Sequence, residues 1–225
     1  DLFERNDKIG IIQPKILDFK NKQKFEYAGA AGGFIDKLGF PFCRGRIFDN
    51  LETDHHQYDD ISNIFWASGA CFFIKNDAFK HLNGFDENFF AHQEEIDLCW
   101  RAFNQNIAVK YCGFSTVYHV GGATLNAANP KKTFLNYRNS LIMLYKNLPQ
   151  KGKFSTIFKR LCYDGISGVR LILQLKPLHC FAIVHSHFAF YSILAKYSKL
   201  ANQNNKQHYF YPKNIVTAYF IKTHK

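Results

Sequence analysis

Three carboxylates stand close together at Glu94, Glu95 and Asp97, in the run Phe89-Phe90-Ala91-His92-Gln93-Glu94-Glu95-Ile96-Asp97-Leu98-Cys99-Trp100-Arg101. The spacing predicts a helix opening at Glu94, whose positive N-terminal end stabilises one or two acids. Asp97 and Arg101 are expected to pair four residues apart on one face. Glu95 shares its face with Leu98, Cys99 and Ala102, so its carboxylate is expected to be crowded by like charge and partly desolvated. Both effects push a carboxyl pKa upward, which suits a general base. The same pattern also serves plain capping of a helix by acids.

Two further clusters carry chemistry. In Phe65-Trp66-Ala67-Ser68-Gly69-Ala70-Cys71 a Ser-Gly step interrupts an apolar run, which brings backbone close to a neighbour. Trp66 beside it suits stacking on a sugar ring, or equally a core position next to a bulge. In Val117-Tyr118-His119-Val120-Gly121-Gly122 a histidine ends a strand before two glycines and is open to a ligand. A lone histidine is more often structural than a metal ligand.

These residues need elements to hold them. Residues 1–8 read as the end of a helix, and Ile9 to Pro14 as a short buried strand stopped by Pro14. Residues 18–60 are loop-rich, broken by Gly29, Gly32, Gly33, Gly39, Pro41 and Gly45. Ile64 to Ile74 reads as an apolar strand interrupted at Ser68-Gly69, and Asn76 as the cap of a helix from Asp77 to Leu82. A helix over Glu94 to Asn104, a strand over Ile107 to Tyr111 and a helix over 131–147 follow. Beyond Pro149 the pattern is helical to about residue 200, with a polar break at 202–208 and a basic, aromatic end. Strands mixed with helices predict an α/β fold. There is too little alternation for a complete doubly wound domain, so the chain reads as the second half of one.

Charge divides the sequence. Residues 1–149 hold 17 Lys/Arg and 17 Asp/Glu, whereas residues 150–225 hold 12 Lys/Arg and one acid, Asp164. The whole net charge of +11 therefore sits in the last third. A nucleic-acid arm would be polar, but this region has apolar runs, Leu171 to Leu173 and Phe181 to Leu194. Cations flanking apolar helices suit an anionic membrane surface, or a solvated helical face. Pro177 to Ala195 lacks formal charge but carries His179, His185, Ser186, His187 and Ser192, so it reads as buried or interfacial rather than as a span. Six cysteines without a C-x-x-C pair read as free thiols in a reducing cytosol. With 225 residues, 24 Phe and 12 Tyr there is material for a substantial core, which rules out wholesale disorder.

Taken in order, W-A-S-G-A-C, G-F-D-E-N-F-F, E-E-I-D-L-C-W-R, Y-H-V-G-G and R-N-S-L-I-M-L-Y-K-N-L-P resemble the acceptor half of family 2 glycosyltransferases, in the branch of bacterial rhamnosyltransferase-like enzymes. The resemblance covers most of residues 9–148. It implies a GT-A (Rossmann-like) fold over 1–149 followed by a basic helical, membrane-associating segment over 150–225. It implies an inverting transfer of a sugar from a nucleotide-sugar donor to a saccharide or lipid-linked acceptor in cell-surface polysaccharide synthesis, at the inner face of the cell membrane and without a nucleic-acid partner. Glu95 stands at the family's catalytic base, where the usual residue is Asp, with Glu94 beside it. His119 matches the position that completes a divalent metal site for Mg2+ or Mn2+. Trp66, Ser68, Gly69 and Ala70 match the strand lining the acceptor pocket, and Arg138 lies where a helix could bring a cation near the diphosphate.

The family's D-x-D motif would precede Asp1, and Asp59-Asp60 lacks the strand context to replace it. The chain is therefore expected to be truncated, without the donor-binding half and inactive alone. The alternative expectation is a non-catalytic carbohydrate- or membrane-binding remnant.

Overall fold

A computed structural model describes residues 2–121, 128–198, 206 and 208–222. The elements in chain order are α1 (Leu2–Arg5), β1 (Ile9–Asp18), β2 (Gly33–Ile35), β3 (Pro41–Cys43), β4 (Arg46–Ile47), β5 (Asn50–Leu51), β6 (Ile61–Asn63), β7 (Phe73–Ile74), α2 (Asn76–His81), α3 (Glu94–Asn104), β8 (Ala108–His119), α4 (Pro130–Asn147), α5 (Lys153–Leu173), α6 (Pro177–Ser198) and α7 (Ile215–Lys222). They gather into two compact units. The first comprises residues 1–85, 95–121 and 208–225, and the second residues 86–94 and 122–207.

The first unit is α/β. Its main sheet has the strand order β6-β8-β1-β7, with β1 and β8 parallel and the outer pairs antiparallel. Strand β1 is buried along nearly its whole length, as befits a central strand covered on both faces. The strand expected to stop at Pro14 instead runs to Asp18. Its register with β8 slips between Pro14, opposite Cys112, and Lys15, opposite Thr116, so the residue without an N–H falls at a bulge. By the same pairing β8 continues well past the expected end at Tyr111. The stretch 18–60 is not simply loop: β2 to β5 form a small antiparallel sheet within it. Conversely, Ile64 to Ile74 is no continuous strand. Its ladder breaks after β6 and resumes only at β7, and Trp66 holds a single bridge to Gly33.

Helix α2 starts at Asn76 rather than being capped by it; Lys75 takes the cap position without a side-chain bond. Helix α3 has the expected bounds and buries Ile96, Leu98, Cys99, Trp100 and Ala102. The basic, aromatic end of the chain packs in this unit too: Tyr209 lies on the Trp100 ring at 4.8 Å, and the backbone N–H of Ile215 donates to Asp36.

The second unit is helical. Asn129 caps α4 at the N–H of Lys131, with Pro130 at the first turn. Leu141, Ile142, Met143 and Leu144 of α4 are fully buried, and α4 packs on both α5 and α6. The expected polar break lies outside the described residues except for Lys206 and His208, as does Gly122 of the V-G-G run.

Candidate functional site

The first unit brings several of the expected residues together. Glu95 sits half-buried on the first turn of α3, at the rim of that helix's buried face, with its Oε2 covered. The Glu95 side chain lies against Gly69, where a Cβ would come within 3.9 Å of its Cγ and Cδ. Gly69 itself is exposed and Ala70 half-buried, so this turn meets solvent. Gln13 orders the turn from inside the sheet: its side-chain oxygen accepts from the N–H of Ser68 at 2.8 Å, and its amide donates to the Gly29 carbonyl at 3.1 Å. Ser68 is buried, and its hydroxyl donates to the Ala28 carbonyl and accepts from the N–H of Ala70. Its role here is to shape the turn.

Trp66 is only 5% exposed. Its indole N–H donates to the Phe34 carbonyl at 2.8 Å, and Gly33 lies so close that a Cβ there would enter the ring, 2.1 Å from Cε2. The ring is a core element with no face open for a sugar.

His119 ends β8 as expected, and it has a partner that sequence reasoning missed. Its Nδ1 lies 3.4 Å from Oε1 of Glu26, a buried carboxylate whose other oxygen accepts from the N–H of Ala28. Arg46, also unforeseen, is buried beside this group, stacks on Tyr27 at 4.3 Å and points Nη2 at Cys43 Sγ. Burial pushes the Cys43 thiol up. Arg46 opposes that shift, and the negative fields of Glu26 and Glu95 add to it. Geometry links the two groups through the backbone: the Ala28 N–H donates to Glu26 and the Ala28 carbonyl accepts from Ser68, the residue before the Gly69 that Glu95 packs against. Glu26 carried no motif, and only the Gly-rich stretch after it hinted at a special backbone.

Among the described residues no three His, Cys, Asp or Glu side chains gather as metal ligands. His119 beside Glu26 therefore does not make a complete divalent-cation site. Asp59 and Asp60 are already engaged. Asp59 pairs with Lys15 and with His56, and Asp60 takes two bonds from Arg44 at 2.9 Å each. A separate polar cleft of ≈ 650 Å³ opens near them, lined by Lys15, Asp54, His56, Asp59 and Tyr118 among others.

Glu94 and Arg138 belong to the second unit. Burial raises the Glu94 carboxyl above its ordinary range. Arg138 is turned inward: it donates to the carbonyls of Asn88 and Phe89 and to Oδ1 of Asn139. Asn139, fully buried, sets its amide nitrogen 2.8–3.0 Å from the carbonyls of Phe89, Ala91 and His92. The R-N step of α4 is thus a clamp on the loop before Glu94. That loop needs one, because Phe90, His92 and Gln93 all have positive φ.

No family model matches the chain. Over 110 residues it is 27% identical to the low-salt glycan biosynthesis hexosyltransferase Agl10 of Haloferax volcanii, a match that takes in 48% of this chain and 32% of that protein. The chain thus spans about a third of the length of that relative.

Proposed function

We propose that this chain is the acceptor half of an inverting, family 2-type glycosyltransferase of the GT-A fold, from the rhamnosyltransferase-like branch, with residues 1–149 as the catalytic portion. The observation that carries the reading is Glu95, half-buried with one carboxylate oxygen covered, beside the exposed Gly69 of a turn that Ser68 and Ala28 link to the Glu26–His119 pair. The likeness to a hexosyltransferase supports it.

In this reading Glu95 takes the proton of an acceptor hydroxyl as that oxygen bonds to the anomeric carbon of a nucleotide sugar. The bond from that carbon to the diphosphate breaks, and the nucleoside diphosphate leaves with the electron pair. A single displacement inverts the anomeric centre. Gly69 and Ala70 offer backbone to the acceptor, while Trp66 and Ser68 hold that backbone from behind. Arg138 and Asn139 act as positioning residues for the loop leading to the two glutamates. For a divalent cation, Mg2+ or Mn2+, His119 would supply one ligand. The proposed acceptor is a saccharide or a lipid-linked saccharide at the cytoplasmic face of the membrane.

The test is Glu95→Gln in the longer protein that carries the donor-binding half. Transfer from a labelled nucleotide sugar is expected to fall by about 10²–10⁴-fold while donor binding stays unchanged. Undiminished turnover would remove Glu95 from the role. Saccharide binding by the longer wild-type protein, without transfer from any donor, would leave the non-catalytic reading in its place.

A further inference from the structure

In helix α5 the usual distribution of side chains is largely inverted, and in α6 the outer face is apolar as well as the inner. The inward face of α5 carries Lys153, Arg160 and Asp164, all buried, beside Ile157 and Gly168, with Asp164 only 1% exposed. Asp164 accepts from Arg160 Nε at 3.1 Å and lies 3.3 Å from Nε2 of His187 on α6. The outward face carries Phe158, Val169 and Leu173, all exposed, at the spacing of one helical stripe. Helix α6 has a mostly apolar inner face, with Ala182, Ile183, Phe190 and Tyr197 buried, but its outer face is apolar as well. Ser186 is fully buried, whereas Phe181, Val184 and Phe188 are exposed, Phe181 at 75%. Charges inside α5 and apolar side chains outside both helices is the arrangement expected where the surroundings are lipid.

The turn between the helices extends the pattern. Leu173 is 79% exposed and Leu175, in the left-handed region at φ 58°, is 89% exposed. A turn in water is ordinarily polar. Every exposed charge on the two helices and at their ends is a cation: Lys151, Lys159, Arg170, Lys176 and Lys196. The single acid of this region is the buried Asp164.

Helix α6 is long and apolar enough to cross a membrane, with a mean hydropathy of 1.4 and only 22% of its most apolar window buried. One side of it, however, is covered by α4. The polar, charged sequence of α4 does not suit hydrocarbon.

We propose that the α5–α6 hairpin is a monotopic membrane anchor. Its outward apolar face and its leucine tip sink into the acyl boundary of an anionic bilayer, while the cations meet lipid phosphates. Such a face lies about 5–10 Å deep and crosses nothing. The occupant is therefore the lipid surface itself. The charge complementarity and the inverted interior argue for it over a second copy of this chain, whose hairpin would present the same cations. The anchor stands on the second unit alone and is independent of the transfer chemistry, so loss of either leaves the other intact.

The experiment uses the chain as it stands with vesicles of phosphatidylcholine, with and without phosphatidylglycerol, scored by flotation. Wild-type chain is expected to float with the anionic vesicles and to stay bound after transfer to high salt, because the apolar contact outlasts the screened charge. The variant Leu173→Ser/Leu175→Ser/Phe181→Ser should lose at least about tenfold in bound fraction while its far-ultraviolet dichroism is unchanged. For depth, Leu175→Trp should shift its emission to the blue on vesicles and be quenched by lipids brominated on the acyl chain. Release of the wild type by salt, or an indole probe at the hairpin tip left unquenched, would overturn insertion. Binding unaffected by the triple substitution would do so as well. So would a chain that ignores vesicles and instead forms dimers that the triple variant abolishes.

Discussion

Helices α3 and α5 each bury an ion pair four residues apart, wired in opposite senses. In α3 the acid comes first: Asp97 accepts from Arg101 Nε at 2.9 Å, the order that agrees with the helix dipole. Arg101 reaches further, donating to the carbonyls of Leu82 and Gly84, and so ties down the end of α2. In α5 the base comes first, Arg160 before Asp164, and the third member is His187 of the neighbouring helix. The first pair sits on a helix whose other buried residues are nearly all apolar. The second belongs to a helix whose apolar residues largely face outward. The same device thus serves two kinds of helix. In the first unit it fastens a helix end next to Glu95, and in the second it fills the interior of a helix pair that shows hydrocarbon to its surroundings.

That contrast is open to breaking by substitution. Asp164→Asn strands the buried Arg160 and is expected to cost about 3–5 kcal/mol in denaturant unfolding, whereas Asp97→Asn leaves the half-buried Arg101 its two carbonyls and should cost less. The double replacements should then part company. Arg160→Leu/Asp164→Leu removes both charges from an interior that can close over leucines, and most of the lost stability should return. Asp97→Leu/Arg101→Leu should recover much less, because the Leu82 and Gly84 carbonyls lose their donor. Equal recovery in the two helices would erase the distinction between a fastening pair and a filling pair.

The sequence was legible where local rules and burial agree. The helix over Glu94 to Asn104, the Asp97–Arg101 pair and the helical run after Pro149 all follow from spacing, and the structure has them. It was misleading where a long-range contact decides. Pro14 ends no strand, because a bulge in a partner a hundred residues away absorbs it. Trp66 reads equally as a stacking platform or a core ring, and only the distant Gly33 against its face decides for the core. Arg138 reads as a cation for phosphate, yet it spends its donors on the carbonyls of a strained loop. Glu26 and Arg46 have no local signature, since their meaning comes from His119 and Cys43, which other strands deliver. The charged interior of α5 and the apolar outer face of α6 could be suspected from apolar runs with scattered cations, but which residues point inward depends on the packing of three helices.

A second, smaller effect sharpens the comparison through pH. Burial would push the Asp86 carboxyl up. Bonds from Lys146 at 2.6 Å, from Asn88 and from Tyr197 at 2.8 Å outweigh it and hold the group well below the usual carboxylate range. Its stabilisation of the second unit is therefore complete above the ordinary value of 3.8 and is lost as pH falls towards the depressed folded value. At pH 6 Asp86→Asn should be less stable by about 2 kcal/mol, the scale of a charged hydrogen bond. The gap should close steadily below about pH 4, as acid protonates the wild-type group. A gap that held constant down to about pH 2 would mean that Asp86 acts by shape and not by charge.

The smallest effect is expected at the pair that looks strongest on paper. Arg44 grips Asp60 through two bonds of 2.9 Å, adds one to Ser62 and stacks on Tyr58 and Tyr111 at 4.9 and 4.8 Å. Asp60, however, is half open to water, which screens the attraction and hydrates the carboxylate in any case. Asp60→Asn should therefore cost less than about 1 kcal/mol, and added salt should take away part of even that. Arg44→Ala should cost more than Asp60→Asn, because it also strips two aromatic rings of a planar partner that salt does not screen away. If Asp60→Asn instead matched Asp86→Asn in cost, bond geometry would outrank burial as the measure of an ion pair in this protein, and the contrast between α3 and α5 would need to be rebuilt on that footing.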